Sequence, residues 1–236
     1  MCGRYLLTSP GDILAQAFGV MIPEVSWTAR YNIAPGTQVP AVWQSPSSGR
    51  SVDSMLWGLL PRWRPTEDSS ARLINARSET VAEKPSFRAA FREHRCLFPA
   101  DGFYEWQKAA GAKVPQLMRR PDRQPFAMAG IFESRVSPAG EVMMSGAILT
   151  TRANDALQEI HARMPVVLEP EIWEEWLDPE SSVETLAQRC GPVSDDYFEI
   201  TAVSDRVNQT RNDDVFCLEP AGSLRGSASG TQGGLF

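Results

Sequence analysis

Apolar residues in this chain fall in short bursts and not in long periodic runs. VPAVW (39–43), SMLWGLL (54–60), RCLFPA (95–100), GFYEWQK (102–108), PFAMAGIFES (125–134), VMMSGAILTT (142–151), MPVVL (164–168) and FEITAVS (198–204) are rich in aliphatic and aromatic side chains and have strand length. The turn-forming pieces SPSSG (45–49) and SPAG (137–140) separate some of them, which suits antiparallel pairing. Helical spacing appears between the bursts. PGDILAQAFGV (10–20) puts Ile13, Leu14, Ala17 and Phe18 on one face. SETVAEKPSFRAAFREH (78–94) predicts a helix that Pro85 breaks or restarts. TRANDALQEIH (151–161) offers Asn154 or Asp155 as a cap, and PEIWEEWL (170–177) and SVETLAQRC (182–190) complete the set. Strands outnumber helices without βαβ alternation, so the expected class is α+β, a curved, mainly antiparallel sheet or barrel flanked by helices. The organisation expected is one domain over 1–220 and a flexible Gly/Ser-rich tail over 221–236.

A chain of 236 residues with 42% hydrophobic content is long enough to bury a full core. No apolar stretch reaches the length of a membrane span, and the N-terminus lacks the basic and apolar regions of a secretory signal. The four cysteines, Cys2, Cys96, Cys190 and Cys217, show neither CxxC nor His-spaced pairing. That pattern predicts neither a zinc site nor a disulfide framework, and no metal or cofactor; it favours a reducing cytoplasm.

Net charge is −6, but it is unevenly spread. Residues 1–153 hold 18 Lys and Arg against 13 Asp and Glu, whereas 154–236 hold 5 against 16. An acidic protein with one basic groove has this asymmetry. Arginine also alternates with tryptophan in LLPRWRP (59–65), where Trp63 stands between Arg62 and Arg64. Arg72 and Arg77 flank Asn75, Arg4 follows Cys2 by two residues, and Arg88, Arg92 and Arg95 recur at helical spacing. Planar rings beside guanidinium groups suit single-stranded nucleic acid, which needs stacking for bases and charge for phosphates.

Removal of Met1 from MCGRYLL leaves Cys2 with a free α-amine and a thiol on adjacent carbons. The amine has a reference pKa of about 8, so a useful fraction is neutral near pH 7. It condenses with an aldehyde to an imine, and the neighbouring thiol closes a five-membered thiazolidine; an internal cysteine, whose nitrogen is an amide, does neither. Three further polar residues sit in apolar surroundings. Glu105 lies between Tyr104 and Trp106, where burial raises a carboxyl towards the range useful for proton transfer. His161, one of two histidines, precedes ARMPVVL and is a natural proton carrier. Asn75 follows Leu73 and Ile74 and is placed to hold a hydroxyl or carbonyl.

In order along the chain, MCGRY, YNIAPGTQVP (31–40), MLWGLLPRW (55–63), INARSET (74–80), FREHRCLFPADGFYEW (91–106), AILTTRAND (147–155), IHARMPVVL (160–168) and AVSDRVNQTRNDD (202–214) resemble the SRAP family, the abasic-site-processing proteins. The resemblance implies binding of single-stranded DNA at abasic sites and a thiazolidine crosslink through Cys2. It implies roles for Asn75 in orienting the sugar and the Cys2 backbone, for Glu105 in shuttling protons, and for His161 in protonating the sugar-ring oxygen. Lyase activity and Met1-removing peptidase activity go with it. Arg4, Arg77 and Trp63, then Arg62 and Arg64, are the candidate DNA contacts. A monomer is expected, in the cytoplasm and at the nucleoid when bound to damaged DNA. Two other readings stand beside this one. An MCG start also opens N-terminal-nucleophile amidotransferases, but those need an Asn-Gly element that this chain lacks. A non-catalytic single-strand-binding module explains the arginines and tryptophans and leaves Cys2 without a purpose.

Overall fold

Two sheets share one apolar core. The computed structural model describes residues 2–21, 28–63, 72–109, 111–136 and 140–222. The strands are β1 (Tyr5–Leu7), β2 (Arg30–Ile33), β3 (Gln38–Ser45), β4 (Gly49–Trp57), β5 (Asn75–Arg77), β6 (Arg95–Ala100), β7 (Gly102–Ala109), β8 (Ala112–Arg119), β9 (Phe126–Val136), β10 (Val142–Arg152), β11 (Arg163–Pro165), β12 (Val167–Leu168) and β13 (Glu199–Ala202). The first sheet runs β13-β8-β7-β1-β2 and is antiparallel throughout. In the second, β4-β3-β6-β9-β10 closes on itself because β10 pairs with β9 on one side and, in parallel, with β4 on the other. The fold is therefore α+β with a barrel core, as the strand bursts predicted.

Closure of that ring demands small residues where strands press on Phe98. A Cβ at Gly130 would lie 2.4 Å from the Phe98 ring, and one at Gly146 would lie 2.8 Å from it. Helix α1 (Gly11–Phe18) ends on Gly19 in the left-handed conformation, and α3 (Pro170–Leu177) starts with proline in its first turn, where the missing N–H costs nothing. α4 (Val183–Gln188) is capped by the Ser182 hydroxyl, which accepts from Thr185 N–H at 3.3 Å. Trp173 and Trp176 of α3 are buried; the Trp176 indole N–H donates to the Cys96 carbonyl of β6 at 3.0 Å. Cys96, Cys190 and Cys217 are buried free thiols.

Two helical expectations need correction. Within 78–94 only α2 (Arg88–Glu93) is helical, and 78–87 is a chain of turns that Pro85 interrupts. In 151–161, residues 151 and 152 extend β10 and the rest forms turns. Asn154 does cap that segment: its Oδ1 accepts from Leu157 N–H at 3.1 Å, while its amide donates to Val193 and Ser194 carbonyls. Those tertiary bonds hold the loop without a helix. The proposed tail begins in a turn at 221–222, and 223–236 lies outside the described residues.

The first residues of the chain are the best-held part of the first sheet. β1 lies between β2 and β7, with Tyr5 opposite Ile33 and Phe103. All three of its residues are buried. Asp101, 2% exposed, accepts from Thr8 N–H at 2.5 Å and Ser9 N–H at 2.6 Å, and from the Thr8 and Ser9 hydroxyls at 2.9 and 2.6 Å. A terminus that would ordinarily fray is thereby fixed.

Candidate active site

Four segments bring Cys2, Asn75, Glu105 and His161 to one end of β1. Cys2 is fully buried in the core shared by the two sheets. Asn75 opens β5, which lies parallel to β10 with Asn75 opposite Ile148. From there its Nδ2 donates to the Cys2 carbonyl at 2.9 Å. Its Oδ1 is buried without a hydrogen-bond partner among the described residues, so one acceptor points into the site unused.

Glu105 stands in the middle of β7 opposite Gln116 and is 5% exposed. Burial raises its carboxyl above the ordinary range, and positive charge at the chain's amino terminus and on His161 opposes the shift. Burial also pushes the Cys2 thiol up, and the Glu105 charge adds to the effect. At neutral pH this site holds a thiol and not a thiolate. Tyr5, next to Cys2 electrostatically, is pushed up by burial as well, and its buried hydroxyl is without a partner among the described residues.

His161 lies just ahead of β11, in a cleft of about 470 Å³ that Glu105, Trp106, Gln158 and Ile160 also line. Its Nδ1 lies 2.9 Å from the Arg163 backbone N–H and 3.1 Å from the Arg163 carbonyl, so the backbone of Arg163 fixes the orientation of the ring. The Arg163 guanidinium forks onto Glu79 at 2.6 and 2.9 Å and reaches the Thr150 carbonyl, securing the turn behind the histidine. The site therefore brings together a buried thiol, a buried carboxyl raised in pKa, an imidazole and an amide that holds the Cys2 carbonyl.

The candidate DNA contacts divide. Arg77 is exposed at the end of β5, opposite Thr150 and so beside Arg163. Trp63 is 63% exposed, and an exposed indole is a surface on which a base stacks. Arg62 pairs with buried Glu133 at 2.5 Å and touches His94. Glu133 sits opposite Ser145, three to five residues along β10 from the partners of Asn75 and Arg77. At about 3.3 Å per residue that is roughly 10–17 Å away. Arg64 lies outside the described residues. Arg4 is half-buried: its Nη1 donates to Asn32 Oδ1 and the Val207 carbonyl, both at 2.7 Å, and its guanidinium lies 5.6 Å from the centre of the Trp106 ring.

Residues with no signal of their own in the sequence complete the support. Asn32, 1% exposed, donates to the Val207, Gln209 and Asn212 carbonyls as well as accepting from Arg4. Asp213 accepts from Tyr31 and Asn32 backbone N–H groups and pairs with Arg30. YNIAP and NQTRNDD thus clasp each other behind Arg4.

The sequence model of a family described as "SOS response associated peptidase (SRAP)" matches residues 1–210. The chain is 35% identical to "Abasic site processing protein YoqW" of Bacillus subtilis (strain 168), over 93% of its own length and 99% of that protein. To "Abasic site processing protein YedK" of Escherichia coli (strain K12) it is 32% identical, over 93% and 100%. Rattus norvegicus "Abasic site processing protein HMCES" is 30% identical over 95% of this chain and 77% of its own. Among solved structures, an X-ray crystal structure of a protein from Bacteroides thetaiotaomicron is similar with a TM-score of 0.84 at 26% identity, covering 93% of this chain and all of that one.

Proposed function

The chain belongs to the SRAP family, and from that premise we propose that it processes abasic sites in single-stranded DNA by covalent capture through Cys2. The observation that carries this reading is the Asn75 amide holding the Cys2 carbonyl at 2.9 Å, with buried Glu105 near enough for its charge to act on the Cys2 thiol.

Hydrolysis of the Met1–Cys2 amide consumes one water and turns the Cys2 nitrogen into an amine. The sugar opens as the C1′–O4′ bond breaks: His161 gives a proton to the ring oxygen, the C1′ hydroxyl releases its proton to solvent, which restores the histidine, and the C1′ aldehyde forms. Because burial keeps the thiol protonated, the neutral amine attacks first. Glu105, held up in pKa by burial, passes a proton from nitrogen to the new hydroxyl, which leaves as water and gives the imine. The thiol then adds to the imine carbon: the S–C bond forms, the thiol proton reaches nitrogen through Glu105, and the thiazolidine closes without oxidation or reduction. In the imine the C2′ proton is acidic, and its loss expels the 3′ phosphate, so β-elimination is the natural side reaction. In this reading Arg77, exposed at the end of β5, holds a backbone phosphate, and Trp63, exposed as well, stacks a base further along the strand.

Mass spectrometry of the protein mixed with single-stranded DNA carrying one abasic site tests the reading. A heat-stable adduct is expected, absent in Cys2→Ala and in any variant that keeps a residue ahead of Cys2. Glu105→Gln is expected to slow adduct formation by about 10²-fold while DNA affinity holds. An adduct that survives Cys2→Ala overturns the proposal.

A further inference from the structure

The cleft at Glu105 and His161 has a second end, formed by Lys108 and Lys113. We infer that these two lysines are a phosphate clamp on the β7–β8 hairpin, gripping the DNA backbone beside the captured sugar. The inference rests on the reading of the site as one for abasic DNA, and it adds a contact surface on the first sheet to that of Arg77 on the second.

Arginine outnumbers lysine in this chain by twenty to three. Two of the three lysines line this one cleft, and the third, Lys84, lies on the turns ahead of α2. Neither Lys108 nor Lys113 takes part in an ion pair among the described residues. Glu159 lines the same cleft from the facing segment and is bonded to neither lysine. The hairpin register sets Lys108 directly opposite Lys113. Like charges so placed repel and destabilise the pair of strands unless an anion lies between them. Both lysines are exposed and keep all six ammonium protons for an incoming acceptor.

Their support is rigid. On the same strand, two residues before Lys108, the Trp106 indole N–H donates to Asn208 Oδ1 at 2.7 Å, and Arg4 lies over the ring. The cleft volume of about 470 Å³ falls in the usual range for small ligands, roughly 300–1,000 Å³, enough for a nucleotide. A strand lying through it presents its sugar to Glu105 and His161 and its next phosphate to the lysines.

The test is the salt dependence of reversible binding, measured by fluorescence anisotropy with a single strand carrying a tetrahydrofuran abasic analogue, which has no aldehyde and forms no adduct. Each phosphate neutralised on a single strand contributes about 0.7 to the slope of log affinity against log salt. The double variant Lys108→Gln, Lys113→Gln is expected to flatten that slope by about 1.4, and Lys108→Arg, Lys113→Arg to restore it. Lys84→Gln is expected to leave it unchanged. Thermal melts establish that each variant is folded. A double glutamine variant with the wild-type slope overturns the clamp, and so does an arginine pair that fails to restore it. Wild-type adduct formation, measured alongside, separates the two ideas. If the Cys2 adduct forms and the slope does not move, only the clamp falls; if the wild-type protein neither binds the analogue nor forms the adduct, both fall.

Discussion

Replacing Asp101 with alanine removes the carboxylate that ties the first ten residues to the β6–β7 junction. The side chain is 2% exposed and receives four hydrogen bonds, two from backbone N–H groups and two from hydroxyls. A hydrogen bond to a charged acceptor contributes roughly 1.5–3 kcal/mol, and a stranded buried donor costs about 1–3 kcal/mol. Thr8 and Ser9 are only half-buried, so water recovers part of the loss and the hydroxyls turn elsewhere. The expected cost is about 2–4 kcal/mol, a large part of the roughly 5–15 kcal/mol that a domain has. What remains on β1, the Leu6 carbonyl accepting from Asp101 N–H and the Arg4 carbonyl accepting from Tyr104 N–H, both at 2.9 Å, keeps the strand paired but less firmly. Urea unfolding at neutral pH measures the global loss. Single-turnover adduct formation in urea well below the midpoint measures the local one, and it is expected to decline earlier than in wild type. A shift below about 0.5 kcal/mol together with an unaltered adduct profile would refute the idea that this carboxylate positions Cys2.

Two more expectations follow from the site. Asn75→Ala removes the clamp on the Cys2 carbonyl and is expected to cost about 1–2 kcal/mol in stability and to slow adduct formation at saturating DNA; equal rates would make Asn75 a structural residue only. Glu105 has a folded-state pKa above its unfolded value, so the folded state binds the extra proton. Its contribution to stability is therefore present at acid pH and lost as pH rises from the ordinary carboxylate range through the raised value. Glu105→Gln is expected to flatten that dependence in urea melts collected across this window; parallel curves for the two proteins would contradict the buried, proton-retaining carboxyl.

Strands that are long and apolar were legible in the sequence, β6 and β9 above all, because their burial leaves an unbroken run of hydrophobic residues. β1, β2 and β5 have three or four residues each, too few for any period to register. β8 carries Pro115, which argues against a strand; there it pairs with Trp106 while its carbonyl accepts from Val203, so the missing N–H is tolerated. The polar residues of the site stood out singly as charges or amides in apolar settings, but nothing in their spacing brings residues 2, 75, 105 and 161 together. The ordered motifs of the family did that. Arg62 and Arg4 read as DNA contacts because their partners, Glu133 in one case and Asn32 with Val207 in the other, are distant in sequence.

The placement of β1 bears on the order of events during synthesis. Cys2 lies just ahead of β1, whose neighbour β7 ends about a hundred residues further along the chain, at Ala109. Throughout that interval β1 has only β2 to pair with and lacks its second neighbour. Once β7 arrives the strand is flanked on both sides and Cys2 is closed into the core.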